Sequence, residues 1–480
     1  MIQYSIEELH DLFLSGKLQP QDYYDELFEE VSIQQKRLNA FVTITKEKAY
    51  HDLKETDFHS LLNGIPYVLK DNFSTDGIKT TASSRMLENY VPIYNAYVVE
   101  RINQQGSCLI GKSSMDELGM GDTNKTALTG PVYNPWDSSR IAGGSSGGSA
   151  ALVGSGVVPF ALGSDTGDSV RKPAGFCGVV GFKPTWGRIS RYGLIPFASS
   201  LDHVGILTRN VRDIAIVLEV IAGRDDKDMT SSMYDVPHYL ENLTHQIEGI
   251  KIGVLKTVVD EIHHPEIKKN FKMICKILKD HGATVNDVTI SKDLMKAILP
   301  AYHVIANCEA TSNHACLDGI KYGNREEGHT VEEIMIHSRT KGFSQSTQSH
   351  FLMGQLALEK NNQEKMLKKA QCVRKLLVNE LNHIYEEYDL ILTPNSGFIA
   401  PHIDEKPVDR LSEDNIIIEN HLCLGNFAGT PSLSLPSGFV DGMPIAINLM
   451  GRLFEEQTVL NVAYALENIL GLKNQFSREG

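Results

Sequence analysis

Apolar positions recur at helical spacing from the start of the chain. Ser5 with Glu8 has the form of a capping box, which predicts an amphipathic helix opening at Ser5. A second helix is expected after Pro20, through DYYDELFEEV. GIPYVLK at 64–70 is a short apolar run that ends on a lysine. Over 96–112 the pattern predicts a helix, a break at Gly106 and a strand, CLIGK. Asn210 with Asp213 starts a further helix that stops at Gly223. Residues 250–290 read as strand, helix and strand: IKIGVL, EIKKNFKMICKILKDHG and TVNDVTI. Beyond them, 356–388 reads as one long charged helix, 388–394 (YDLILTP) as a buried strand and 455–470 as a final helix. Alternating elements predict an α/β fold. No repeat, low-complexity tail or linker divides the chain, so 1–480 is expected to form one large domain.

The stretch from 141 to 169 breaks both periodicities. It is rich in glycine and serine yet contains an apolar run, ALVGSGVVPFAL, that a flexible linker would lack. It predicts a glycine loop, a helix from near Ser149, a strand over Val157–Leu162 and a second glycine loop.

Composition narrows the function classes. Of the 480 residues, 41% are hydrophobic and 22% charged, as in ordinary globular proteins. The formal net charge of −14 suits a nucleic-acid grip poorly, because affinity for phosphates comes mostly from Lys and Arg. If RNA is involved, a partner is expected to hold most of it. The seven cysteines include no CxxC pair, which points to free thiols in a reducing compartment rather than disulfides or a zinc site. The N-terminus lacks the basic-then-apolar order of a signal peptide, and no apolar run approaches the ~20 residues of a membrane span. The expected location is the cytoplasm.

Three short segments carry candidate chemistry. GGSSGGSA at 143–150 reads first as a flexible turn before a helix; it also satisfies formally the short nucleophile-elbow pattern G-x-S-x-G, with Ser146 attacking. A phosphate cradle would need a lysine after the glycines, and none follows. GSDTGDSVRKPA at 163–174 contains Asp-Thr-Gly, but no second such motif supplies the paired carboxylate of an aspartic protease. What remains is a loop of backbone N–H groups just before Ser169, suited to an oxyanion hole. Lys70 either snorkels to solvent or, if buried, becomes a neutral amine able to act as a base.

Taken together, Lys70-Asp71-Asn72, the GGSSGGS loop and the GSDTG-x-S loop resemble the amidase signature family. The separation of Ser145 and Ser169 matches that of the family's Ser–cisSer–Lys triad. The resemblance implies Ser169 as nucleophile, Ser145 as bridging cis-serine and an uncharged Lys70 as base, with Ser146 a loop residue. It implies a mixed β-sheet covered by helices on both faces, with a triad-bearing core at about 60–210. Further segments resemble the A subunits of tRNA-dependent amidotransferases: SSMDELGMG (113–121), YNPWDSSR (133–140), 178–205, LPAYHVIANCEATSN (299–313) and NFAGTPSLSLPSG (426–438).

That likeness implies a glutaminase. Backbone N–H groups near Thr166, Gly167 and Asp168 would hold the oxyanion, Tyr302 would grip glutamine and Glu419 would bind its amine. No metal or cofactor is implied in this chain. Ammonia would pass to a B subunit that holds misacylated tRNA and uses ATP and Mg²⁺, with a C subunit wrapping both. Two positions depart from the family pattern. Asp168 stands where a glycine is usual, and His350 stands before FLMG (351–354) where an arginine for the substrate carboxylate is usual; Arg339 is a candidate replacement. A stand-alone amidase acting on another small amide and a non-catalytic scaffold are the alternative readings.

Overall fold

The computed structural model describes residues 3–405 and 409–477. Eleven strands join in one mixed sheet. In chain order they are β1 (Phe41–Ile44), β2 (Pro66–Lys70), β3 (Cys108–Ser113), β4 (Phe160–Asp165), β5 (Val180–Lys183), β6 (His203–Thr208), β7 (Lys251–Leu255), β8 (Thr284–Val288), β9 (Leu390–Pro394), β10 (Ser432–Val440) and β11 (Met443–Gly451). Across the sheet the order is β1-β3-β2-β4-β6-β5-β10-β11-β9-β7-β8. β2 runs parallel to β3 and β4, and β7 runs parallel to β8 and β9; the remaining pairs are antiparallel. The expected α/β class, mixed sheet and helical cover are all present. Helices Gly147–Gly154 and Arg171–Cys177 pack on each other and on the sheet, as do Val211–Ile221 and Glu456–Leu470.

Local signals account for most elements. Ser5 and Glu8 form the expected reciprocal cap on the Ile6–Leu14 helix. Asn210 caps Val211–Ile221 by accepting from the Asp213 N–H. The Pro265–Asp280 helix buries Ile267, Phe271, Ile274 and Leu278, one stripe at helical spacing, and links parallel β7 and β8 as the strand–helix–strand pattern requires.

Three expected elements differ in detail. The helix expected near Ser149 begins at Gly147, and the strand expected at Val157 begins at Phe160, after Pro159, whose ring removes a ladder donor. The long helix expected over 356–388 is broken. Gln345–Leu358 ends, and a short π-helical turn at Glu364–Lys368 precedes Lys369–Glu387. The interruption holds neither glycine nor proline. Instead Asn362 Nδ2 donates to the Leu356 carbonyl at 2.9 Å and Gln363 Nε2 to the Leu358 carbonyl at 2.8 Å. These amides satisfy carbonyls that a continuing helix would have paired with backbone.

The topology brings three chemical segments to one edge. β2 and β4 are parallel neighbours, with Leu69 level with Leu162, so both end on the same side. Lys70 closes β2, and the 166–169 loop leaves β4 there. The Gly147–Gly154 helix leads back toward the start of β4, so its N-terminal end, with Ser145 and Ser146, lies at that edge too. Beneath, Tyr67 and Phe160 stack with centroids 5.5 Å apart at 5° between planes. Tyr67→Ala is expected to cost ~3–5 kcal/mol in urea unfolding. Tyr67→Phe should cost less than about 1 kcal/mol, because the hydroxyl reaches only a long 3.4 Å contact with Asn103 Oδ1.

Candidate active site

Lys70 is fully buried, and its Nζ lies 2.7 Å from Ser145 Oγ, 2.8 Å from Ser146 Oγ and 3.1 Å from the Ser164 carbonyl oxygen. It therefore does not snorkel. No carboxylate lies within ion-pair distance of it among the described residues. Burial pushes the amine down to about 7, against the weaker opposing pull of Asp116, Asp165 and Asp202.

The three partners serve either protonation state. An ammonium has three N–H donors for three acceptors. A neutral amine donates to Ser146 Oγ and the Ser164 carbonyl, and its lone pair accepts the Ser145 hydroxyl proton. Ser146 completes this arrangement by donating to the Ser164 carbonyl at 3.1 Å. Ser146 is thus a buried support for the amine and lies off the cavity wall, which removes the elbow reading.

Close backbone packing fixes the serine loop. A Cβ on Gly144 would fall 2.0 Å from Asp116 Oδ2, so only glycine fits before Ser145. The Gly144–Ser145 peptide is cis. The Ser146 N–H donates to the Ser169 carbonyl at 3.1 Å, which ties this loop to the residue expected to attack.

Ser169 stands just before the Arg171–Cys177 helix and lines a cavity of about 380 Å³. Its loop is braced from both sides. Arg171 donates to Asp165 through Nε at 3.1 Å and Nη2 at 2.9 Å, and to the Gly167 carbonyl at 2.8 Å. Asn426 adds 2.9 Å and 2.7 Å links to Asp165 and Arg171. Burial raises Asp165, but Arg171 overrides it and holds the carboxylate well below its usual range. On the other side Thr166 Oγ1 donates to Asp202 at 2.6 Å. Burial pushes Asp202 up to about 6, opposed by that bond and by the N–H groups of Ala198 and Phe197.

The N–H groups of Gly167, Asp168 and Ser169 meet no protein acceptor among the described residues. Three donors beside a hydroxyl that lines a cavity are what an oxyanion site requires. Tyr302 presses on this loop: a Cβ at Gly167 would lie 3.0 Å from its ring.

The expected glutamine contacts are only partly brought together. Tyr302 and His350 line the Ser169 cavity. Glu419 lines an adjoining cavity of about 260 Å³ instead. Its carboxylate is 2.7 Å from Lys172 Nζ and accepts from Ser396 and Gly397. His350 Nδ1 is 2.9 Å from Asn307 Oδ1, and burial lowers its pKa below the usual histidine range, so it is uncharged at neutral pH. Arg339 is no replacement for it; this side chain donates to the His314 and Leu317 carbonyls and lies off the cavity.

Sequence reasoning missed Arg410, which lines both cavities. Its Nη1 donates to Asp122 at 3.0 Å, its Nη2 to Asp168 at 3.2 Å and to the Glu419 carbonyl at 2.8 Å, and its Nε to Asn420 at 2.7 Å. Asp168 also lies 3.6 Å from Lys172. Asp122, Arg410, Asp168, Lys172 and Glu419 thus form a chain of alternating charge along the wall between the cavities. Nothing at the sequence level marks Arg410, which sits in an aperiodic loop far in the chain from Asp122 and Asp168.

Among the described residues, no group of three or more His, Cys, Asp and Glu side chains is placed to hold a metal, and no helix is long and apolar enough to cross a membrane. All seven cysteines are free thiols.

Residues 24–460 match the family model described as Amidase. The chain is 41% identical to the A subunit of glutamyl-tRNA(Gln) amidotransferase from Fusobacterium nucleatum, over 99% of this chain and 98% of that protein. It is 39% identical to the protein of the same name from Sulfurihydrogenibium, over 98% of each. The crystal structure of the Thermotoga maritima counterpart superposes with a TM-score of 0.80 at 34% identity, covering 97% of this chain and 94% of that one. A 6-aminohexanoate cyclic dimer hydrolase shares the fold, with a TM-score of 0.87 at 24% identity over 100% and 99% of the two chains.

The amine must be neutral to take a proton, so activity should rise with pH through about 7 and fall tenfold per unit below it. Lys70→Arg should lose ~10⁴-fold or more in kcat/KM and lose this profile with it. Ser145→Ala should lose at least ~10³-fold, whereas Ser146→Ala, which removes one support of the amine, should lose about tenfold. Steady-state amidase assays from pH 5 to 9 on the wild type and these three variants test all of this.

Proposed function

Because the chain belongs to the amidase family, we propose that it is the glutaminase subunit of a tRNA-dependent amidotransferase. The observation that carries the chemistry is the buried Lys70 amine, 2.7 Å from Ser145 Oγ and depressed to about 7. In this reading Lys70 takes the Ser145 proton as Ser145 takes that of Ser169. The Ser169 oxygen bonds to the side-chain carbonyl carbon of glutamine, and the N–H groups of the 166–169 loop hold the resulting oxyanion. The relayed proton goes to the leaving nitrogen, the C–N bond breaks and ammonia departs, leaving an acyl-enzyme. Water, deprotonated by the same relay, releases glutamate.

Near-complete coverage by proteins named as A subunits supports a role within a larger enzyme. Partner B and C subunits would receive the ammonia, bind Glu-tRNA(Gln) or Asp-tRNA(Asn) and use ATP with Mg²⁺. The net charge of −14 fits a division in which a partner grips the RNA, and cytoplasmic translation is the matching setting.

The displaced Glu419 and the uncharged His350 favour one second reading, a stand-alone amidase for another small amide. Hydroxamate formation from glutamine and hydroxylamine separates the two. The chain with its partner subunits should give a burst that Ser169→Ala abolishes. Failure on glutamine, together with turnover of another amide by the isolated chain, would replace the first reading with the second. Inactivity of the wild-type complex on every amide would leave only a scaffold.

A further inference from the structure

Free glutamine carries an α-carboxylate and an α-ammonium a few bonds from the amide carbon that Ser169 would attack. A glutaminase must hold both charges close to the nucleophile. Of the groups expected to do so, Glu419 is committed to Lys172, Ser396 and Gly397, and His350 is uncharged and bound to Asn307. Lys125, the other cation on the cavity wall, has its Nζ on the Ile403 carbonyl.

The charged chain beside Ser169 offers what is missing. Four of the five N–H groups of Arg410 are occupied, and the second N–H of Nη1 has no acceptor among the described residues. Asp168 gives Oδ2 to Arg410 and Lys172, while its Oδ1 accepts nothing from the described residues. Asp168 is only 5% exposed, so this oxygen is an unused acceptor in a nearly closed site. One open donor and one open acceptor therefore share the wall of the cavity that Ser169 lines.

Resting on the glutaminase reading, we propose that this wall recognises the zwitterionic end of an α-amino acid amide. Arg410 takes the α-carboxylate and Asp168 the α-ammonium. Asp122 and Lys172 are positioning residues that hold Arg410 and Asp168 in place. The five-residue chain carries three carboxylates against two cations. A zwitterion adds no net charge to it, whereas a ligand with a carboxylate and no amine adds a further negative charge. The Asp168 that replaces a glycine beside the nucleophile thus gains a role, and Arg410 supplies the cation that position 350 lacks.

Three substrates and three variants, each assayed in the complex with the partner subunits, test this. Glutaramic acid is glutamine without the amine, and 4-aminobutyramide is glutamine without the carboxylate. Arg410→Gln should lower kcat/KM for glutamine and glutaramic acid by ~10–100-fold, mainly through KM, and that for 4-aminobutyramide much less. Asp168→Asn should do so for glutamine and 4-aminobutyramide and spare glutaramic acid in the same way. Arg410→Lys should recover part of the loss. Equal losses on all three substrates, with wild-type glutamine turnover intact, would overturn the recognition wall and leave the glutaminase reading standing. Absence of Ser169-dependent glutamine turnover in the wild-type protein would overturn both.

Discussion

An ammonium on Lys70 would be solvated by two hydroxyls and one carbonyl, with no carboxylate in contact. The neighbouring strand provides an internal comparison. Lys112 on β3 is equally buried, with Asp71 at 3.9 Å, and burial lowers it as well, to about 8. The difference lies in what each strand end faces. Lys112 meets a carboxylate and threonines, whereas Lys70 meets two hydroxyls of the serine loop and the Ser164 carbonyl. The base role expected of Lys70 depends on this burial, because only a neutral amine can take a proton.

The surrounding architecture fixes the loop that carries Ser169 beside the serine loop at that amine. Arg171, Asp165 and Asn426 join the start of one helix, the end of β4 and the segment before β10 into a buried network. Asp202 secures the opposite flank through Thr166. Removing any one of these leaves a buried charge or dipole unpaired, which costs far more than the bond itself contributes. The 166–169 loop is therefore held in one arrangement by its own buried network.

Much of this was legible in the chain. The caps at Ser5 and Asn210 and the strand–helix–strand unit at 250–290 rest on local spacing, and each is found in the fold. Lys70, Ser145 and Ser169 stood out only as a joint pattern, and the fold draws their three segments to one edge of the sheet. The break at 359–363 was not legible, because it is made by amide side chains turning back on carbonyls rather than by glycine or proline. Nor was Arg410, whose importance comes from Asp122 and Asp168, hundreds of residues earlier in the chain. Glu419 was expected to bind the substrate amine, but its pairing with Lys172 is a tertiary fact that spacing does not encode.

The closed setting of Lys70 has a chemical corollary. An unprotonated primary amine is itself a good nucleophile, and cellular carbonyl compounds and acyl donors react with such groups. The same packing that lowers the pKa of this amine also denies those reagents a path, since the side chain has no exposed surface. An electrophile that enters the cavity meets the Ser169 hydroxyl on its wall, whereas the amine is absent from that wall. Basicity and self-protection would thus come from one piece of packing, which shields a reactive nitrogen and leaves an oxygen as the nucleophile within reach.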